Sequence, residues 1–138
     1  MKKLFIAVTI LSINTLLFSS CSKSSTTPST PVVVTGYWLG SYSSAAESGT
    51  AGVAFGTNGS AVVYNFGTTG LTDTATCSLK YTGSYTVSGN KVNFAVTTPS
   101  LSTLNYTSTA NISANPNTLV GTFSSTGGVS GNFSLVKQ

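Results

Sequence analysis

Residues 50–66 read TAGVAFGTNGSAVVYNF. Ala51, Val53 and Phe55 recur at every second place, so an extended strand over Thr50–Phe55 carries one apolar face. Asn58-Gly59 follows, two residues that tolerate positive φ and together form the strongest short hairpin signal. Ser60–Phe66 resumes the alternation, with Val62, Tyr64 and Phe66 expected on one face. A period of two on both sides of a turn is a β-hairpin, and this stretch decides the fold class.

Outward from it the pattern persists. From Gly36 onward a turn signal arrives roughly every ten residues, the spacing of a sandwich or barrel. Gly36–Ser43 places Trp38, Gly40 and Tyr42 on one face. Gly67–Asp73 is a loop, and Thr74–Tyr81 aligns Cys77, Leu79 and Tyr81. Gly83–Val87 carries Tyr85 and Val87, and Ser88-Gly89-Asn90 closes a tight turn. Lys91–Thr97 aligns Val92, Phe94 and Val96. Leu104–Ile112 aligns Leu104, Tyr106, Ala110 and Ile112, and Asn115-Pro116-Asn117 turns the chain. Thr118–Ser124 and Val129–Val136 form a last hairpin across Thr126-Gly127-Gly128. Their inward sets are Leu119, Gly121 and Phe123, then Val129, Gly131, Phe133 and Leu135.

These are nine segments, or eight if the fourth and fifth form one strand bent at Gly83. Apart from a single helical turn suited to Ala45-Ala46-Glu47, no helical stripe is present. A glycine precedes an aromatic by two places at Gly36/Trp38, Gly40/Tyr42, Gly83/Tyr85, Gly121/Phe123 and Gly131/Phe133. Glycine there leaves room for rings and lets strands coil. The expectation is an all-β domain over residues 36–138: a small antiparallel, up-and-down eight-stranded barrel or barrel-like sheet. Trp38, Tyr42, Tyr64, Tyr85, Phe94, Tyr106, Phe123 and Phe133 are the candidate interior or ligand-lining residues.

The first 35 residues are of another kind. Met1-Lys2-Lys3 is a positive start, and Leu4–Phe18 is a largely apolar run. A membrane-spanning helix needs about 20 apolar residues, so this shorter run reads as an export signal over residues 1–20. Phe18-Ser19-Ser20-Cys21 resembles the lipobox of bacterial lipoproteins, and the Cys-Ser-Lys-Ser-Ser that begins at Cys21 resembles the N-termini of Bacteroidota lipoproteins. That resemblance implies a lipid on Cys21 and attachment to the bacterial cell envelope at the outer membrane. The alternative is cleavage near Ser20 without lipid. Residues 21–35 then form a Ser/Thr/Pro-rich tether, with Pro28 and Pro31 favouring extended backbone.

Gly36-Tyr37-Trp38 at the start of the first strand resembles the Gly-x-Trp signature of lipocalin-like barrels. In that family the tryptophan closes one barrel end beneath a basic residue of the last strand, which implies that role for Lys137. Asp73-Thr74-Ala75 resembles the O-glycosylation motif of exported Bacteroidota proteins, which implies Thr74 as acceptor. The plain alternative is a turn in which Asp73 caps its own backbone.

Chemistry is narrowed by what the chain contains. It has no His, and its acids are Glu47 and Asp73 alone. The commonest general base and metal ligand is therefore missing, and catalysis and metal binding are not expected. Beyond residue 20, Lys23, Lys80, Lys91 and Lys137 stand against two acids, a net charge of +2. With no Arg and scattered lysines, a nucleic-acid surface is excluded. With Cys21 lipidated, Cys77 is expected as a small buried residue. No cofactor is implied. The expected partners are a membrane through the anchor and either a small apolar ligand or another protein.

The anchor makes a direct prediction. Cys21→Ser should move the protein from the membrane pellet to the soluble fraction on fractionation. Continued membrane association would refute lipidation at that residue.

Overall fold

Each strand in the chain pairs with its sequence neighbour, and the last returns to the first. The computed structural model describes residues 33–99, 104–113 and 117–138. The export signal, Cys21, most of the tether, Ser100 and the Asn115-Pro116 part of one turn lie outside the described residues. The strands are β1 (Gly36–Ser44), β2 (Ser48–Phe55), β3 (Ser60–Gly67), β4 (Leu79–Ser88), β5 (Lys91–Thr97), β6 (Asn105–Ser113), β7 (Thr118–Ser125) and β8 (Ser130–Lys137). They form a closed antiparallel barrel in sequence order, sealed where β1 pairs with β8 from Trp38↔Lys137 to Ser44↔Gly131.

The expected up-and-down barrel is therefore present, with three local differences. Thr74–Ser78 is loop rather than strand, and β4 starts at Leu79 and runs unbroken through Gly83 to Ser88. Asp73 prevents an earlier start, because its carboxylate accepts from Ala75 N at 2.9 Å and bends the chain. Ala45-Ala46-Glu47 is a bend rather than a helical turn. Ser44 holds it: its hydroxyl accepts from Ala46 N and Glu47 N at 3.2 and 3.1 Å, respectively. The third difference is the face of β3. Ala61, Val63 and Asn65 look inward, opposite Phe55, Val53 and Ala51. Val62 and Tyr64 are outside, and Phe66 stacks on Tyr64 with planes 10° apart. The run is apolar on both faces, so alternation could not choose between them. A register shift between Thr50 and Ala51 further displaces Phe66.

The turns follow their glycines. Gly59, Gly89 and Gly128 have φ of 80°, 60° and 82°, a region that L side chains avoid. Four strand glycines serve closure instead. A Cβ at Gly40, Gly83, Gly121 or Gly131 would run into the carbonyl oxygen of Ser134, Ala95, Thr109 or Ser43 on the neighbouring strand. The interior is built from the opposite choice. Trp38, Leu119, Leu135 and Val92 are fully buried, each contributing about 1.5–3 kcal/mol in water-to-core transfer. The outer faces of β4 to β8 are mainly Ser, Thr, Asn and Lys, with hydroxyl pairs such as Thr107–Ser124 at 3.1 Å. Such a wall suits water, whereas a barrel embedded in lipid presents an apolar band outward.

Gly83→Ala should destabilise the barrel by roughly 1–3 kcal/mol, read as a lower urea midpoint, because backbone rather than a flexible side chain occupies the space. An unchanged midpoint would mean that β4 and β5 are not so closely apposed.

Candidate functional site

The barrel has one closed end and one open end. At the closed end the N-terminal segment folds under the strands. Val34 is buried, and its carbonyl accepts from the Trp38 indole N–H at 2.8 Å. Lys137 Nζ donates to Val33 O at 3.1 Å and lies 5.7 Å from the Trp38 ring centroid, a cation–π contact. Phe55 and Tyr85 pack edge to face above this floor at 4.8 Å, and the Tyr85 hydroxyl donates to Gly56 O at 2.8 Å. These polar groups are all satisfied, and side chains fill this end.

Toward the other end the packing opens. A cavity of about 90 Å³ lies among Ala51, Val53, Val63, Phe94, Val96, Phe133 and Leu135, with Tyr42, Tyr81, Tyr106, Phe123, Val129, Asn65, Ser108 and Glu47 completing its wall and mouth. Space remains here because the strands contribute Ala51, Val53 and Val63 where rings would fill it. The rings that are present meet one another around the wall. Tyr81 and Tyr106 are edge to face at 5.1 Å, Tyr42 and Phe123 at 6.4 Å, and Phe94 and Phe133 are 5.8 Å apart.

The polar groups stand out against this wall. Tyr42 is 8% exposed, and its hydroxyl is buried without a hydrogen-bond partner. An unsatisfied buried hydroxyl costs about 1–3 kcal/mol, and the Tyr37 hydroxyl, away from the cavity, is buried and unpartnered as well. Burial pushes the Tyr42 phenol above its ordinary value, the nearby Asn65 amide pulls the other way, and the Glu47 charge adds to the rise. Burial, followed by the neighbouring Tyr106, pushes Tyr81 up to about 12. Asn65 is oriented by its own turn, its Oδ1 accepting from Gly67 N at 2.8 Å.

The eight candidate interior residues divide as follows. Tyr42, Phe94, Tyr106, Phe123 and Phe133 line the cavity. Trp38 and Tyr85 face inward but belong to the closed end. Tyr64 lies outside the barrel, edge to face with Tyr37 at 6.1 Å and with Lys80 Nζ 5.7 Å from its ring centroid. It is no lining residue, because β3 turns its other face inward. The sequence singles out none of Tyr81, Asn65, Ser108 and Glu47 as lining. Tyr81 stands in an aligned strand set, and Ser108 shares a face with Tyr106 and Ala110 at period two; nothing local marks Asn65 or Glu47. Cys77 is half-buried in the loop rather than a strand residue, with its thiol 3.4 Å from Asn65 O and 3.3 Å from Leu79 O. Thr74 sits in the turn capped by Asp73. No group of three or more metal-ligating side chains occurs among the described residues.

The tyrosines predict a pH response. A phenol held neutral in the folded state contributes stability that is intact below about pH 10. It is lost as the pH rises toward 12, because the unfolded chain ionises first. Unfolding free energy should fall between pH 10 and 12, and Tyr81→Phe should reduce that fall by roughly 2 kcal/mol. Denaturant titrations at several pH values check this; an equal fall in the variant would remove Tyr81 as its source.

No protein-family model matches the chain, and no curated protein is similar to it at a significant level. Among solved structures, a redesigned β-barrel superimposes with a TM-score of 0.58 at 15% sequence identity, covering 75% of this chain and 90% of that one. At that identity the likeness is one of fold, and it joins the strand order in describing the molecule as an eight-stranded antiparallel β-barrel.

Proposed function

We propose that the chain is an exported, lipid-anchored protein of the bacterial cell envelope whose barrel binds one small, largely apolar molecule without catalysis. The observation that carries this reading is the one-ended cavity, apolar in depth above a floor closed by Trp38, with the buried Tyr42 hydroxyl in its wall. Barrels of eight strands are just wide enough to be filled by side chains or to hold one small ligand. Here the closed half is filled and the open half is not. The lipobox-like Phe18–Cys21 supports the anchor, and outer-membrane attachment follows from the same resemblance. Lys137 over Trp38, next to Gly36-x-Trp38, supports a lipocalin-like use of the barrel.

Nothing in the cavity wall suggests chemistry on the ligand. The chain has no His, Asp73 is committed to capping its own turn, and Glu47 is the lone acid at the cavity. Proton transfer would therefore lack a paired acid and base.

A second reading, a surface lipoprotein that acts through protein contacts, is favoured by the modest size of the cavity. At about 90 Å³ it is smaller than the 150 Å³ engineered cavity that admits benzene. A slender chain or a flexed ring wall is then required of any ligand.

Native mass spectrometry of the protein purified gently from its host decides between the two. The binding reading expects an added mass that disappears on denaturation and is missing from Ala51→Phe, a substitution that fills the cavity. A bare mass that gains nothing from host lipids would overturn it and favour protein contacts.

A further inference from the structure

Among the described residues, Glu47 is the only charged one lining the cavity. It is exposed, and the Ser44 turn holds its backbone at the rim: Ser44 N donates to Glu47 O at 2.8 Å, and the Ser44 hydroxyl accepts from Glu47 N at 3.1 Å. The described lysines are all elsewhere. Lys80 lies on the outer face against Tyr64, Lys91 begins β5 at the closed end, and Lys137 is engaged with Val33 and Trp38 on the floor. None lines the cavity. The mouth therefore has a negative group with no described positive group to offset it.

The surrounding groups have the same preference. Tyr42, Tyr81, Tyr106 and Phe123 border the open half. Aromatic faces attract a cation and not an anion, because the ring quadrupole is negative above the plane. The Tyr42 hydroxyl, buried beside Asn65 and Glu47, offers a lone pair to an entering N–H. A carboxylate head would find donors in the tyrosine hydroxyls and the Asn65 amide, but it would face Glu47 with like charge. An ammonium head would meet a carboxylate and several rings at once.

Building on the binding reading above, we propose that the cavity selects an amphiphile with an ammonium head, the head seated at the Glu47–Tyr42 mouth and the alkyl tail directed toward Phe94 and Phe133. The volume restricts the tail to one slender chain.

The test compares octylamine, 1-octanol and octanoate, which share a tail and differ in head charge. Each is titrated into the full chain carrying Cys21→Ser, which avoids detergent, and amide chemical shifts are followed by NMR. Octylamine should bind roughly five- to tenfold more tightly than octanol, and octanoate should bind most weakly. Glu47→Gln, an exposed change that leaves packing alone, should weaken octylamine about threefold and leave octanol unchanged. Tyr42→Phe should weaken octylamine while raising the urea midpoint of the free protein, since it deletes an unsatisfied group. Octanoate binding as tightly as octylamine, or a Glu47→Gln loss shared equally by all three, would overturn the ammonium assignment and leave the carrier reading intact. If none of the three binds, both fall.

Discussion

Pairing of β1 with β8 is the contact on which the rest depends. It runs over seven residue pairs, from Trp38↔Lys137 to Ser44↔Gly131, and removes the two edges that an open sheet would leave. Unpaired edges invite association with other chains, and full closure alone abolishes them. A chain with so few charges has little other protection against such pairing. Closure also demands strong coiling. It is met where Gly40, Gly83, Gly121 and Gly131 bring adjacent backbones closer than any side chain allows. At Gly131 the Phe123 ring of the neighbouring strand also lies within 3 Å of where a Cβ would stand.

Side-chain size along the barrel axis turns this cylinder into a cup. Near the floor the inward positions are Trp38, Leu119, Leu135 and Val92, and they leave no room. Higher up, Gly40, Ala51 and Val63 alternate with rings, and the rings lean on one another instead of meeting at the axis. The floor is reinforced from both chain ends: Val34 comes from before β1, Lys137 from the end of β8, and Gln138 N donates to Tyr37 O at 2.9 Å. One end is therefore tied down by backbone and side-chain contacts from both sides, while the other is left open.

Much of the barrel was legible because its grammar is local. Period-two alternation and the turns at Gly59, Gly89 and Gly128 placed most strands, and the aromatics on β1 and β5 to β8 read correctly as inward. Where the grammar is ambiguous, the reading failed. Ala61-Val62-Val63-Tyr64 is apolar at every place, so the face of β3 was set by its partners, Phe55 and Val53, and not by its own pattern. Asp73 ended the reach of β4 through a side-chain turn that competes with strand pairing. The mouth was least legible. Glu47 and Asn65 are ordinary turn and strand residues until closure brings two hairpins together, and only three dimensions show them beside Tyr42 and Tyr81.

The cup also has a direction relative to the chain. Val34, the residue that seals the floor, is where the chain enters the barrel. With Cys21 lipidated, the tether would therefore join the barrel at its closed end, and the mouth would open on the opposite side. Tether length alone then decides how freely the barrel can turn. A stretch from Cys21 to Val32 would span at most about 40 Å if fully extended. On the proposed reading, a cup held by its base would be suited to exchanging a molecule with the aqueous side of the envelope or with a second protein. It would be poorly suited to drawing lipid directly from a membrane at its base. An exposed acid and three tyrosines at the rim would fit such an exchange, because a polar head could remain near water while a tail is withdrawn from it.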